Sequence, residues 1–130
     1  MTVTFIDSSA IVKLIIREEE TRALKRWLAD RDLISSSVAR ADVPRAVRRI
    51  GVTAKEPSVD EVLDRIQLIA IDDVCLDEAA ALEPASLRSL DAIHLATALV
   101  VGGDVDAFVT YDRTLARAAR VAGLRVEAPV

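Results

Sequence analysis

The sequence predicts an α/β protein, a three-layer α/β/α sandwich around a mostly parallel sheet of about four to five strands. Two observations carry that expectation. Thr2-Val3-Thr4-Phe5-Ile6 is an apolar, β-branched run, and a strand apolar on both faces belongs in a parallel sheet covered by helices. Further short apolar runs then alternate with segments whose apolar residues recur at helical spacing. With 130 residues the chain has the size of one domain, taken as 1–130.

After the first strand, Asp7-Ser8-Ser9 leads into a short apolar helix from Ala10 to Ile16, carrying Lys13. Glu18 to Asp30 reads as a second helix, with Thr21, Leu24, Trp27 and Leu28 on one side. Leu33 to Ser36 is a candidate second strand. Ser36 or Ser37 can cap a helix through Val38, Ala41, Val47 and Ile50 that ends at Gly51. Pro44 lies inside it, so either the helix kinks there or its regular part begins near Val43. Pro57 and Ser58 open a helix expected from Val59 to Ala70. A short strand or turn at 71–76 and a short helix at 77–82 follow. Ser89 caps a long helix from Leu90 to Val101, stopped by Gly102-Gly103. Ala107 to Thr110 is the strongest late strand; Asp112 starts a helix to Ala122, Gly123 ends it, and Leu124 to Val126 is a final strand.

Composition limits the function. Hydrophobic residues make up 52% of the chain and aromatics 3%, so Ala, Val, Leu and Ile must build the core and no broad stacking platform is available. A formal charge of −4 means that any polyanion must meet a local basic patch or a bound cation. The single Cys75 excludes an internal disulfide and suggests a reducing, cytoplasmic setting. Asp7 and Lys13 interrupt the first apolar stretch, so neither a leader nor a membrane anchor is expected.

Four acids occupy equivalent places. Asp7 ends the first strand, Asp42 lies on the helix after the second, Asp91 is in the first turn of the long helix, and Asp112 follows the late strand. Right-handed crossovers bring strand C-termini and following helix N-termini to one sheet edge, where three of these acids or all four can converge. Each also has a structural role open to it: a helix cap for Asp7 and Asp112, a dipole complement for Asp91, and surface pairing with Arg40 or Arg45 for Asp42. Together they would repel unless a cation neutralised them, and Mg²⁺ or Mn²⁺ is the hard ion that takes carboxylate oxygen, water and substrate phosphate. That chemistry is metal-assisted phosphodiester cleavage.

No rival catalytic set is visible. His94, the sole histidine, lies one turn after Asp91 among apolar neighbours and reads as a structural imidazole more than a proton shuttle. Cys75 has no histidine to spare for a thiolate, and there is no glycine-rich phosphate loop. Arg40, Arg45, Arg48, Arg49 and Lys55, with Arg113, Arg117 and Arg120, either carry a phosphate backbone toward the acids or form solvated helix faces. Trp27 and the Ile11, Leu14, Ile15 and Ile16 region carry more apolar surface than two short helices bury alone, so a subunit or partner interface is expected there.

The segment from Phe5 through Asp7 to Leu14 resembles the opening motif of PIN domains, in particular of VapC-type toxins. Ser89-Leu90-Asp91-Ala92-Ile93-His94-Leu95-Ala96-Thr97-Ala98 is similar to their second hallmark, and Phe108-Val109-Thr110-Tyr111-Asp112-Arg113-Thr114-Leu115 to their third. The resemblance runs in order over nearly the whole chain. It implies a Mg²⁺- or Mn²⁺-dependent ribonuclease, the toxin of a type II toxin–antitoxin pair. It also implies a homodimer silenced by a small antitoxin whose C-terminal tail enters the cleft. Asp7, Asp91 and Asp112 would be metal-site acids, with Thr110 and Ser9 beside them. The family's helix acid is usually Glu, whereas Asp42 stands at the matching position, one methylene shorter, with room for a water between it and the metal.

A metal-dependent endoribonuclease is therefore the expected function. A non-catalytic PIN-fold protein that binds an antitoxin or RNA is the alternative, motivated by Asp42. A phospho-accepting domain using Asp7 as nucleophile lacks its second acid, since Ser9 stands there.

Overall fold

The computed structural model describes residues 1–51 and 57–130. Its first strand, β1 (Val3–Ile6), is buried from Thr4 onward and runs into α1 (Ser8–Ile15) and α2 (Thr21–Leu28). Next come β2 (Leu33–Ser36), α3 (Ala39–Ile50), α4 (Val59–Leu63) and β3 (Gln67–Ile69). The second half holds α5 (Asp73–Ala81), α6 (Ser89–Val101), a 3-10 turn at Gly102–Asp104, β4 (Val105–Val109), α7 (Arg113–Val121) and β5 (Val126–Glu127). Among the described residues these strands form one sheet in the order β3-β2-β1-β4-β5, every pairing parallel.

That order dictates where a site can form. From β1 the chain steps outward to β2 and β3, then returns across the sheet to β4 and β5 on the other side. Connections therefore leave β1 and β4 in opposite directions, and a crevice opens at the C-terminal ends of these two strands. Asp7 follows β1 directly and Thr110 follows β4 directly.

Alternation along β1 divides the core into two layers. Ile6 packs with Ala10, Ile11, Ile15, Leu24, Val43 and Val62 under α1 to α4. Phe5 faces the opposite way, with Leu95, Phe108 and Leu115 under α6 and α7. The rings of Phe5 and Phe108 stack with centroids 5.0 Å apart, which locks β1 against β4 beneath the crevice. The expected three-layer sandwich and the five-strand limit of its sheet are both observed.

Pro44 is accommodated inside α3 without ending it. The entry is wound tightly, with Arg40 and Ala41 N–H groups bonding the carbonyls three residues back, and Val38 rather than Ser36 or Ser37 holds the cap position. Ser36 instead accepts from Val38 N–H through its hydroxyl, at 3.3 Å. Gly51 closes α3 at φ +78°, a left-handed turn that a side chain would oppose. Lys55, counted above in the basic cluster, lies outside the described residues.

Three expectations are corrected. The helix expected over 59–70 is only α4, capped by Ser58, and its end becomes β3. After Leu63 the winding tightens to bonds three residues back at Arg65 and Ile66, then opens so that Gln67–Ile69 pair with Ile34–Ser36 of β2. Sheet pairing there outweighs helical spacing of the apolar residues. The strand or turn at 71–76 is instead the first part of α5, because Asp72 accepts Cys75 N–H at 2.9 Å and starts the helix early. Finally, Ile11 and Ile15 are inside the protein's own core, so the expected interface region narrows to half-buried Leu14, Ile16 and Trp27.

Candidate acidic site at the sheet edge

Asp7 is both a helix cap and the floor of the crevice. Its Oδ1 accepts from Ala10 N–H at 3.0 Å and from Ser9 Oγ at 2.7 Å, while Oδ2 accepts from Thr110 Oγ1 at 2.6 Å. The side chain is almost fully buried, with 2% of the residue exposed. Burial pushes its pKa from 3.8 up to about 6, against the three donors, which pull it down; the charge of Asp91 adds to the rise. A carboxylate has about four lone-pair positions, so three donors leave one for a further partner.

The turn after β4 is tied to the same carboxylate. Thr110 donates to Asp7 and accepts Asp112 N–H at 3.1 Å, and Ser9 accepts Tyr111 N–H at 3.0 Å. One pair of hydroxyls thus fixes β1's end, β4's end and the entry to α7 relative to one another. Asp112 caps α7 through Leu115 N–H at 2.8 Å and stays half-buried.

Asp91 sits in the first turn of α6, half-buried above the crevice. Desolvation raises its pKa first; Asp112 and Asp42 raise it further, and the guanidinium of Arg88 opposes them. Asp91 therefore links the set: it acts on Asp7, and Asp112 and Asp42 act on it. Each of the other three acids foreseen from sequence is thus within electrostatic reach of Asp91. Asp42, half-buried on α3, makes no ion pair with Arg40 or Arg45 among the described residues.

Among the described residues no three acid, histidine or cysteine side chains converge closely enough to cage an ion by themselves. The donor chemistry still fits a hard divalent cation: neighbouring negative charge adds to the raised pKa of Asp7 and of Asp91, and positive charge would relieve it. Mg²⁺ is ordinarily held by one or two carboxylates, with water and substrate phosphate completing its shell rather than a protein cage.

Neighbouring groups are committed elsewhere. Lys13 pairs with Glu18 at 3.2 Å and Glu20 at 3.3 Å and lies 4.8 Å over the ring of Tyr111, so it does not neutralise Asp7. Burial pushes the Tyr111 phenol to about 12. His94 is the structural imidazole expected: fully buried, edge-on to Phe5, with Nε2 2.9 Å from Ser8 Oγ, and held to about 4 by desolvation. It is neutral at pH 7 and carries no exchangeable positive charge. Cys75 Sγ is buried 3.3 Å from Thr97 Oγ1, away from any base. Two contributors escaped the sequence reading. Arg88 moderates Asp91 from one turn upstream, a signal that the spacing did contain; Ser8 joins α1 to α6 through His94 across 86 residues, which no local pattern reveals.

Comparison with known proteins places this geometry in context. The family model described as PIN domain matches residues 4–121. The chain is 44% identical over 130 residues to "Ribonuclease VapC46" of Mycobacterium tuberculosis (strain ATCC 25618 / H37Rv), covering 99% of each chain. It is 42% identical over 130 residues to "Ribonuclease VapC35" of the same strain and 35% identical to "Ribonuclease VapC47" of strain CDC 1551 / Oshkosh, covering 96% of each chain in both cases.

Proposed function

The chain belongs to the PIN-domain family, and from that premise we propose that it is a metal-dependent endoribonuclease, the toxin of a type II toxin–antitoxin pair, acting as a single domain. The observation that carries the reading is the buried Asp7 carboxylate held by Thr110 and Ser9 where β1 and β4 end, with no cation partner among the described residues and with Asp91 in electrostatic reach. Similarity to relatives named as ribonucleases supports the choice of RNA over other phosphodiesters.

In this reading Asp7, Asp91 and Asp112 would hold Mg²⁺ or Mn²⁺, with the shorter Asp42 contributing as the fourth acid. A cation in that position supplies Lewis acidity and offsets the charge that develops on the phosphate. Thr110 and Ser9 keep the Asp7 carboxylate oriented by donating to its two oxygens. Asp112 is held by its capping bond, so its free oxygen faces one direction only. His94, neutral and enclosed, takes no proton from the reaction.

The partners proposed are an RNA substrate, a small cognate antitoxin and a second copy of the chain, in a cytoplasmic setting. Leu14, Ile16 and Trp27 supply half-buried apolar surface suited to a protein partner. Among the described residues no helix is long and apolar enough to cross a membrane. A non-catalytic PIN-fold protein is the second reading, favoured only by the shorter acid at position 42.

The test is cleavage of a panel of structured RNAs with Mn²⁺, with EDTA as blank. The parent is expected to cut, and Asp7→Ala and Asp91→Ala to be inactive. Equal inertness of parent and variants on RNAs that a related enzyme cleaves would replace this reading with the non-catalytic one.

A further inference from the structure

Away from the acidic edge, Arg45, Arg48 and Arg49 of α3 line a surface groove of about 290 Å³. All three are exposed, and among the described residues none forms an ion pair. The whole protein is acidic, at −4, so this concentration of guanidinium groups runs against its average. Helix polarity accounts for part of it: Arg48 and Arg49 are in the last turn of α3, where cations are favoured. It does not account for Arg45 in the middle of the helix, nor for the side on which Arg45 and Arg49 lie.

That side is the one that carries Asp42. At about 100° per residue, Arg49 projects within about 20° of Asp42 and Arg45 within about 60°. Along the axis Arg45 stands about 4.5 Å beyond Asp42 and Arg49 about 10.5 Å. The spacing between Arg45 and Arg49, about 6 Å, is on the scale of successive phosphates in an extended strand. A guanidinium takes phosphate oxygens through two parallel N–H bonds, which suits a backbone track better than a point charge.

We propose that the arginine groove of α3 is the track on which the phosphate backbone of single-stranded RNA lies as it leads to the acidic edge. This rests on the ribonuclease reading above and adds to it a direction of approach, along α3 from Gly51 toward Asp42. Recognition here is through phosphates rather than bases, because among the described residues the groove offers no aromatic face and no base-reading amide.

The experiment measures binding of a fluorescein-labelled single-stranded oligoribonucleotide to the full chain in EDTA, where cleavage is suppressed. The Arg45→Gln/Arg49→Gln double variant is compared with an Arg22→Gln/Arg26→Gln control, which removes equal charge from the exposed face of α2. The groove variant should lose about tenfold or more in affinity at low salt, and its log–log salt dependence should flatten by about 1.4, for two lost single-strand phosphate contacts. The control should stay within about twofold of the parent, because charge at a distance is screened. A groove variant that binds like the control, or one that loses affinity for a protein partner while keeping its RNA affinity, overturns the proposal. Parent cleavage with Mn²⁺ is scored separately. Groove-dependent binding without any cleavage leaves the track standing and removes the nuclease reading, whereas cleavage with groove-independent binding does the reverse.

Discussion

Two aspartates flank the same pair of strands and live under opposite conditions. Asp106, near the start of β4, accepts from Thr4 Oγ1 at 2.8 Å and is paired with Arg31 at 3.3 Å. Arg31 is itself fixed over the Trp27 ring at 3.6 Å. Asp7, past the other end of β1, has hydroxyl and amide donors but no ion-pair partner among the described residues, and the charge of Asp91 adds to the rise of its pKa. A structural acid is thus neutralised by a partner from its own chain. The acids of the opposite edge form no ion pair among the described residues, and the proposed metal site rests on that difference.

The largest effect expected is on catalysis. Asp7→Asn should lower RNA cleavage by about 10²–10³-fold, the usual loss for one group that stabilises a transition state. Asp106→Asn should leave the rate within about twofold and cost about 1 kcal/mol or less in stability, as for other partly exposed ion pairs. Comparable rate losses in the two variants, measured on folded protein, would erase the distinction between the edges.

Stability against pH gives the next contrast. The folded-state pKa of Asp7 lies above its ordinary 3.8, at about 6, so its stabilising contribution is full below pH 4 and is lost as pH rises through about 6. At about 1.4 kcal/mol per pKa unit, this amounts to roughly 3 kcal/mol between pH 4 and 8. Denaturant unfolding of the metal-free protein should show that difference relative to Asp7→Asn, which cannot ionise. Identical pH profiles for the two proteins would show that burial does not penalise the charge.

A smaller effect sharpens the comparison within the acidic edge. Asp42 is held less tightly than Asp7, with no capping or hydroxyl bond among the described residues. Asp42→Glu should preserve or raise cleavage, and Asp42→Ala should lower it by up to about 10²-fold, the cost of an ångström-scale misplacement. If Asp42→Ala cuts like the parent while Asp7→Ala is inactive, Asp42 is a surface acid and the site rests on three carboxylates. Smaller still is the tether behind the site. Ser8→Ala leaves buried His94 Nε2 without its partner, which should cost about 1–3 kcal/mol in denaturant unfolding. No loss would mean that the imidazole finds another partner.

Much of this was legible in the sequence, for reasons that also mark its limits. Thr4–Ile6 and Ala107–Val109 are buried on both faces, and short apolar or β-branched runs mark such strands. The positions of the four acids, as distinct from their proposed role, were legible because each caps a helix or lies in its first turn, and an α/β chain repeats that placement at one edge. β3 was not, because it is a three-residue edge strand whose Ile69 continues the helical spacing of Val62, Leu63 and Ile66. The length of α5 was hidden because Val74 and Leu76 are exposed, so its apolar residues mark no single face. Contacts between distant segments, such as Ser8 with His94, depend on how α6 lies across β1 and have no local signature.

The claim at the centre is that the acids of the β1–β4 edge share one divalent cation. Calorimetric titration of Mn²⁺ into the metal-free protein at pH 6 tests it most directly, with the heat measured in buffers of different ionisation enthalpy. The parent should bind one ion and release protons, since Asp7 is partly protonated at that pH and must ionise to ligate. Asp91→Asn should lose binding, and Asp106→Asn should bind as the parent does. Equal affinity in the parent and Asp91→Asn, or no heat beyond dilution in the parent with free ion present, would contradict the account.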